Sequence, residues 1–264
     1  MPKYRLAAGA CAIALLVAGC SSSSNGSGKP NTSQTSQSSS PSFPASSSGA
    51  QSGSDNASLT PADLNTKVLP AVLAQKTFHI QGSGSDGSGN ALSFDIRYGS
   101  NGSQGTIGIS GTSLKLLVIG TDSYLYGDSA FWQTALAGQS TAGVTVATVA
   151  NKWVKVDATG SDYKELFSLL DPKQFLSQAD SDTSTVSKVG NSTYQGQQVV
   201  VFKDSSDDSS IYIRRYGAPL PIAITSPAGS KDGAGSFTFT DYGKPYTVQQ
   251  PPASEIFDLT KFQH

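Results

Sequence analysis

Histidine and cysteine are scarce in this sequence, which removes most of the side chains used in catalysis and metal binding. The 264 residues include two histidines, His79 and His264, and two cysteines, Cys11 and Cys20. Neither histidine stands at a metal-ligand spacing or next to a nucleophile motif. No Gly-x-Ser-x-Gly elbow occurs, and both cysteines lie within the first twenty positions, which excludes a disulfide framework. The sequence therefore predicts a protein that is not an enzyme, with no catalytic residue, no metal and no cofactor.

Charge is also sparse and nearly balanced. Charged residues make up 14% of the chain, 18 of them basic and 19 acidic, for a formal net charge of -1. Nucleic-acid-binding proteins show a clustered excess of Lys and Arg instead. Nucleic acid is therefore not predicted as a partner, and charge alone indicates no other partner.

The first twenty residues have the pattern of a bacterial lipoprotein signal. Two basic residues precede Leu6 to Ala18, a mostly apolar run of about thirteen residues that is too short to span a bilayer comfortably. Leu16 to Cys20 (LVAGC) resembles the lipobox, in which the signal is cut before the cysteine and the cysteine is acylated. We expect residues 1–19 to be a signal peptide and Cys20 to be the lipidation site. Two or three acyl chains would anchor the protein durably to the extracytoplasmic side of the cell membrane.

Residues 20–58 are predicted to form a tether between the lipid anchor and a folded domain. Beyond Cys20 the segment is dominated by Ser, Gly, Thr, Gln, Asn and Pro. Such a composition buries too little apolar surface to offset chain entropy, so we expect disorder. A coil of about 38 residues reaches on the order of 30 to 40 Å. Ser and Thr beside Pro41 and Pro44 also fit an O-glycosylated stalk, although a plain spacer is the simpler interpretation.

Residues 59–264 are predicted to form a single α+β domain. A helical apolar period follows a start at Thr60 and Pro61, and a strand period of two follows it up to Tyr126. In the strand pattern His79 faces the side opposite to its neighbours. Further helices are predicted over 129–136, 141–150 and 162–170, the last capped by Ser161, and a turn begins at Asp171. Further strands are predicted over 152–156, 193–203, 211–216, 220–225 and 237–242, with a hairpin loop from Asp204 to Ser209.

These elements follow the order strands, helical insertion, strands. Short strands joined by Gly-rich turns leave no room for helical crossovers and therefore pair antiparallel. The economical arrangement is one curved antiparallel sheet, a half-barrel, with helices packed on its concave face around an apolar core or cavity.

Three short motifs match functional signatures but lack their context. Gly82 to Gly87 matches the dinucleotide-binding fingerprint, yet it leads into a strand instead of a helix and is predicted to be a hairpin loop. Ser161 to Lys164 and Ser54 to Asn56 match two motifs of penicillin-binding enzymes in the wrong order, with the third missing. The acidic loop from Asp204 to Ser209 lacks the glycine and distal Glu of an EF-hand, so a solvated turn is predicted there.

Eight apolar residues of the helical insertion are the candidate lipid-binding residues. Their spacing turns them toward a sheet whose inner side is Ile, Leu, Val, Phe and Tyr. They line either a cavity or an ordinary filled core, and composition does not distinguish the two. The eight residues are Phe131, Trp132, Leu136, Leu166, Phe167, Leu170, Phe175 and Leu176.

Short segments in this order resemble the LppX/LprG family of actinobacterial lipoproteins, over roughly Leu59 to Leu259. The resemblance implies a half-barrel sheet wrapped around helices, an apolar cavity between them, and carriage of acylated lipids or glycolipids across the cell envelope. The related periplasmic lipoprotein carriers share this architecture. The segments are Tyr124–Gly127, Phe131–Trp132, Lys152–Val156, Leu170–Pro172, Ile211–Ile213, Leu220–Ile222 and Phe239–Tyr242, followed by Pro245 and Val248.

The sequence thus predicts an anchored, exported lipoprotein that binds an acylated lipid or glycolipid and carries it between envelope layers. Its partners would be the membrane, through the N-terminal acyl chains, the lipid ligand and an export transporter. Polar selectivity would come from the mouth of the cavity, for which Tyr124, Tyr126 and Asp128 are the candidates. The alternative is a non-enzymatic surface interaction, sensor or scaffold lipoprotein with a filled core.

Overall fold

A single open sheet organises the part of the chain that the structure describes. The predicted signal peptide, Cys20, most of the predicted tether and the predicted helix cap Ser161 lie outside that part. No helix among the described residues is long and apolar enough to cross a bilayer. The computed structural model describes residues 53–86, 88–137, 144–160, 163–178, 183–230 and 233–262.

Twelve strands can be assigned within the described residues, and all of them belong to one sheet. Every neighbouring pair is antiparallel except β12 and β6, which are parallel. The sheet is open, with β12 and β7 at its two edges. The strands are β1 Phe78–Ser85, β2 Ala91–Tyr98, β3 Gly102–Ile109, β4 Thr112–Ile119, β5 Asp122–Gly127, β6 Trp153–Val156, β7 Val186–Tyr194, β8 Gln197–Asp204, β9 Ser210–Arg214, β10 Pro221–Ser226, β11 Gly235–Thr240 and β12 Ile256–Asp258.

The sheet is built from two meanders that meet in its middle. Strands β1 to β6 lie side by side in chain order, as do β7 to β11, and β1 pairs with β11 where the two meanders join. The helices lie mainly between the two strand blocks. This confirms the predicted α+β fold, an open, curled antiparallel sheet with helices packed on one face, consistent with a half-barrel.

Short helices cover the concave face. The α-helices that lie between β5 and β7 in the chain, α2 to α5, pack with the inner sides of β1 to β6 in one apolar cluster. The helix that precedes β1 packs on β7, β8 and β9 in a second cluster. The helices are α1 Leu69–Leu73, α2 Ser129–Ala135, α3 Val146–Val149, α4 Lys164–Ser168 and α5 Pro172–Gln178.

The helix before β1 starts as predicted near Thr60 but is irregular before its proline. The backbone N–H and hydroxyl of Thr60 both donate to the Asp63 carboxylate, at 2.8 and 2.9 Å. Residues Leu64–Val68 then form a π-helical turn that runs into α1, whose second residue is Pro70. Pro70 has no N–H to donate and crowds the preceding turn, which favours such a widened turn directly before it.

The second strand block contains a hairpin that the sequence pattern did not reveal. Strands β7 and β8 are joined by Gln195 and Gly196, both at positive φ (47° and 78°), as in the type I′ turns that suit hairpins. The predicted continuous strand over 193–203 is therefore wrong. Because β7 is an edge strand exposed along most of its length, its sequence shows no apolar alternation.

The glycines of the dinucleotide-like motif lie inside a strand. Residues 82–85 belong to β1, where residues 82–84 pair with both β2 and β11 and Ser85 pairs with β2, so the predicted hairpin loop starts later, at Asp86. A Cβ on Gly82 would lie 2.3 Å from the carbonyl oxygen of Ser236. Glycine is therefore needed here for close strand packing, and Gly87 lies outside the described residues.

Helix lengths in the insertion differ from those predicted. The helix predicted over 141–150 is only Val146–Val149, and its start is fixed by Thr148, whose hydroxyl oxygen accepts from the Thr145 N–H at 3.0 Å. Residues 141–143 lie outside the described part. The helix predicted over 162–170 is the shorter α4.

The chain joins the sheet before Leu59. Asp55 forms an isolated antiparallel bridge with Tyr216, and its carboxylate pairs with Arg215 at 3.3 Å. The Asn56 side chain is buried and donates to the carbonyl oxygens of Arg214 and Gly217, at 2.9 and 3.1 Å. These contacts place the last residues of the composition-defined tether against the β9–β10 connection.

Candidate functional site

Alternating side chains of the sheet build one apolar layer on the concave face. Ile80, Ile96, Ile107, Leu116 and Leu125 each come from a different strand and are almost completely buried in the same cluster. Neighbouring strands bring such same-face residues into register, which makes the layer continuous across β1 to β5.

The structure brings all eight predicted lining residues to this layer. Four of them are buried members of the cluster, namely Trp132, Phe167, Leu170 and Leu176. The other four are partly buried and pack against it: Phe131, Leu136, Leu166 and Phe175. All eight side chains of the insertion thus belong to, or pack against, the cluster that contains the inner side of the sheet.

Two aspartates fix the helices that carry these side chains. Asp128 caps α2, because its carboxylate accepts from the Phe131 N–H at 2.8 Å. Asp171 accepts from the Lys173 N–H at 2.8 Å at the start of α5. The Phe131 ring lies directly over Gly127, where a Cβ would be 2.4 Å from the ring. The start of α2 is thereby held close against the end of β5.

A cleft of about 360 Å³ opens at one edge of the layer. The Phe78 and Tyr98 rings stack in its wall with centroids 4.4 Å apart, and the Tyr98 hydroxyl donates to the Leu169 carbonyl oxygen at 2.7 Å. That bond ties the sheet to the α4–α5 connection. The apolar walls are Leu73, Phe78, Tyr98, Val118, Leu170 and Pro172, and the polar groups are Gln75, Lys76, Ser103 and Asp171.

Sequence reasoning found only one residue of this cleft, Leu170. The cleft residues that the sequence did not indicate include Leu73 at the end of α1 and Val118 on β4. Their period-two or helical spacing places them on an apolar face, but the pattern gives no sign that these faces meet at a gap. Val118 points to the same side of β4 as Leu116, so the cleft wall continues into the buried layer.

The prediction that Tyr124 and Tyr126 form a polar mouth of the cavity is wrong. Tyr124 lies on the convex face, where it packs with Leu117 and Val248. Burial and the nearby Asp122 raise the pKa of its hydroxyl. Tyr126 shares that face, with its ring centroid 5.5 Å from that of Trp153. Residues 124 and 126 alternate with Leu125, which faces the helices, so both tyrosines must point away from the apolar layer.

His79 lies on the convex face as its alternation predicted, inside a small polar cluster. Its Nε2 is 2.9 Å from the Asp95 carboxylate, and its Nδ1 is 3.4 Å from the Thr240 hydroxyl. Asp241 pairs with Lys244 at 2.7 Å and with Arg97 at 3.1 Å, and these cations lower the pKa of the Asp241 carboxyl. Within the described ranges, no group of three or more His, Cys, Asp or Glu could hold a metal ion.

The acidic loop between β8 and β9 is a partly buried turn, so the prediction of a solvated turn is right for Ser205 and Asp208 and wrong for Asp204 and Asp207. Asp204 and Asp207 are both buried, and their carboxylates accept from the backbone N–H groups of Ser206 and Ser209, at 2.8 and 2.9 Å. Asp208 is the exposed member and pairs with Lys203 at 2.8 Å. The two buried carboxylates hold the turn by accepting from its backbone.

No family model and no curated protein matches this chain. Among solved structures, the chain is similar to a conserved uncharacterized protein from Thermus thermophilus, with TM-score 0.35 and 8% identity over 72% of this chain and 96% of that chain. It is also similar to a chain in the Pseudomonas aeruginosa MucA/MucB complex, with TM-score 0.34 and 12% identity over 71% of this chain and 58% of that chain. A likeness this weak assigns neither a family nor a function.

Proposed function

We propose that the protein is a membrane-anchored, exported lipoprotein that binds an acylated lipid between its helices and the concave face of its sheet. One observation carries the proposal: the apolar layer under α2–α5 is continuous with a cleft whose walls are mainly aliphatic and aromatic. Ligand sites of proteins have this composition, with a few polar groups that fix orientation. The lipobox at Leu16 to Cys20 and the resemblance to LppX/LprG lipoproteins agree with this function.

A lipid carrier must shield the acyl chains from water, but it does not have to bind them more strongly than a bilayer does. Sequestering a hydrocarbon chain from water contributes about 0.8 kcal/mol per methylene, so two long tails represent on the order of 20 kcal/mol. A bilayer supplies nearly the same, and transfer between the two hosts is therefore close to balanced. Tails also give little selectivity, because one methylene changes discrimination only modestly. Polar groups near the tail must supply the selectivity.

The cleft is at the lower end of the size range of ligand pockets, which runs from about 300 to 1,000 Å³. A complete acyl chain therefore enters only when the helices and the sheet separate. The α4–α5 connection, held by the Tyr98 hydroxyl at 2.7 Å, borders the cleft and is the segment that would have to move.

Native mass spectrometry of the chain started at Ser21 tests the proposal. The protein is produced in a lipid-rich bacterial host and purified without detergent, and its bound molecules are extracted and identified. We expect co-purifying acylated lipid at a fixed ratio to protein. Repeated recovery of the protein at the mass of the polypeptide alone, together with no uptake of lipid from vesicles, would contradict the proposal.

A second function is favoured by the centre of the same layer. Trp132, Leu116 and Leu125 are completely buried, as in the filled core of a surface interaction, sensor or scaffold lipoprotein. In that case the mass experiment yields bare protein. Pull-down with the folded domain would then recover an envelope protein whose binding survives lipid extraction.

A further inference from the structure

The indole N–H of Trp132 lies in the middle of the apolar layer and has no partner among the residues that the structure describes. Trp132 lies in α2, which packs against β4 and β5, and its side chain is completely buried. The Phe131 ring meets its ring edge-on at 5.1 Å. Among the residues that the structure describes, Nε1 of Trp132 has no hydrogen-bond acceptor.

A buried indole N–H without an acceptor is unusual and costly. Indole is a donor only, and buried Trp side chains normally find an acceptor. The same cluster shows the ordinary solution at Tyr98, whose hydroxyl donates to the Leu169 carbonyl oxygen. Phenylalanine at position 132 would fill an apolar layer without this cost. The unmatched donor therefore points to an acceptor that arrives with a ligand.

The surroundings limit the chemistry of that acceptor. The side chains of the cluster around Trp132 are aliphatic and aromatic, and the buried charged residues in the described part of the chain, His79, Asp204 and Asp207, lie on the convex face or at the β8–β9 turn. A carboxylate or phosphate placed there would lose its hydration without gaining a cation. A neutral carbonyl oxygen suits the site, because it needs only one donor and its flanking chain is apolar.

We propose that Nε1–H of Trp132 donates to the carbonyl oxygen of an acyl ester and so positions the ester of the bound lipid. This inference rests on the proposed lipid-binding function. It makes Trp132 a recognition residue, whereas its neighbours only shelter the chain. It also provides the selectivity that hydrocarbon tails lack.

Two probes that differ in the carbonyl test the inference. Palmitoyl-lysophosphatidylcholine carries an acyl ester, and 1-O-hexadecyl-lysophosphatidylcholine, the alkyl probe, has the same chain length, glycerol and head group with an ether in place of the ester. Binding of both is measured by equilibrium dialysis below their micelle concentrations, with the chain started at Ser21. The variants are Trp132→Phe and, as matched control, Trp153→Phe, which changes the tryptophan of the convex face.

We expect Trp132→Phe to weaken binding of the ester probe by about two- to tenfold, the effect of one net hydrogen bond. Binding of the alkyl probe should change less than twofold, and Trp153→Phe should change neither. An equal loss for both probes would overturn the inference and leave the proposed function standing. Failure of the wild-type chain to bind either probe would instead contradict the proposed function.

A spectroscopic measurement covers the case in which Trp132→Phe does not fold. In the Trp153→Phe background, Trp132 is the sole tryptophan, so its indole proton gives a single ¹H–¹⁵N signal. The ester probe should move that signal downfield, as hydrogen bonding requires, and the alkyl probe should not. Identical shifts with both probes would contradict the proposed hydrogen bond.

Discussion

Asp63 holds the start of the first helix through several contacts at once. Its carboxylate accepts from the Thr60 backbone and hydroxyl and pairs with Lys67 at 2.9 Å. The Thr60 backbone N–H, followed by Lys67 and the Thr60 hydroxyl, lowers the pKa of Asp63 to about 2. Because the folded-state pKa lies below the unfolded value, this stabilisation is complete above about pH 4 and is lost as the pH falls toward 2.

We predict that Asp63→Ala lowers the free energy of unfolding by about 1 kcal/mol at neutral pH, the usual cost of losing a helix-start contact. The difference from wild type should shrink between about pH 4 and about pH 2, where the wild-type carboxylate is protonated. Urea unfolding across this range measures it. Lys203→Ala, which removes an exposed ion pair with Asp208 from a residue with ordinary strand backbone, is the control and should change stability little. A difference in unfolding free energy that stays constant down to pH 2 would contradict this dependence of stability on the ionisation of Asp63.

Residue patterns predicted which side chains share a face of the sheet. They did not predict which faces are covered by other parts of the chain. Tyr124 and Leu125 both fit buried strand positions, and both are buried, on opposite sides. The convex side is covered by the segment after β11, where the Asn101 side chain donates to the Val248 carbonyl at 3.0 Å and accepts from its N–H at 2.8 Å. That long-range contact has no local signature, and the predicted polar mouth therefore fell on the wrong face.

At the scale of elements, the N-terminal boundary of the fold depends on side-chain hydrogen bonds more than on apolar burial. Composition placed residues 53–58 in the tether because they are polar. Asn56 nevertheless donates to two carbonyl oxygens of the β9–β10 connection, and Lys188 on the edge strand donates to the Ala57 carbonyl oxygen. Polar segments that bind backbone groups in this way are indistinguishable from linkers by composition.

We predict that a chain started at Leu59 is less stable than a chain started at Gly53, by about 1 to 3 kcal/mol, because it leaves buried carbonyl oxygens without donors. Thermal and urea unfolding of the two chains measure the difference. Asn56→Ala in the longer chain should reproduce much of the loss, whereas Ser54→Ala should not. Equal stability of the two chains would show that the fold begins at Leu59.

Strand prediction succeeded where one face is buried and failed at the sheet edges. Strand β2, Ala91–Tyr98, lies within the run of period-two strands predicted before Tyr126, because its inward residues alternate clearly with outward ones. Edge strand β7 was missed, since it is exposed along most of its length. Edge strand β12 was missed as well, because three residues pairing parallel with β6 carry no periodicity.

For the whole molecule, the two strand blocks and the helical insertion were predictable because each has its own period. The cleft was not, because it lies where α1, β1–β4 and the α4–α5 connection meet in space. No single segment of sequence contains it. The eight lining residues were predicted as a group, yet whether they enclose space is a property of the assembled layers.

Truncation of buried side chains distinguishes an apolar layer that can open for a lipid chain from a filled core. We predict that Leu116→Ala, in the completely buried centre of the sheet, costs about 2 to 5 kcal/mol of unfolding free energy. Leu170→Ala should cost less than Leu116→Ala, because Leu170 borders the cleft and part of its side chain therefore faces open space instead of a neighbouring side chain. Urea unfolding of both variants gives the comparison. Equal, large losses would favour the filled-core scaffold.

The central claim, that lipid chains enter the layer beneath α2, is tested most directly by contact quenching. In the Trp153→Phe background the emission comes from Trp132 alone, and bromine atoms on an acyl chain quench indole emission at near contact. We predict saturable quenching by dibrominated palmitoyl-lysophosphatidylcholine at one probe per chain, reversed by the unbrominated lipid. Unchanged Trp132 emission, with quenching only of Trp153 in Trp132→Phe, would place the lipid on the convex face and contradict the account.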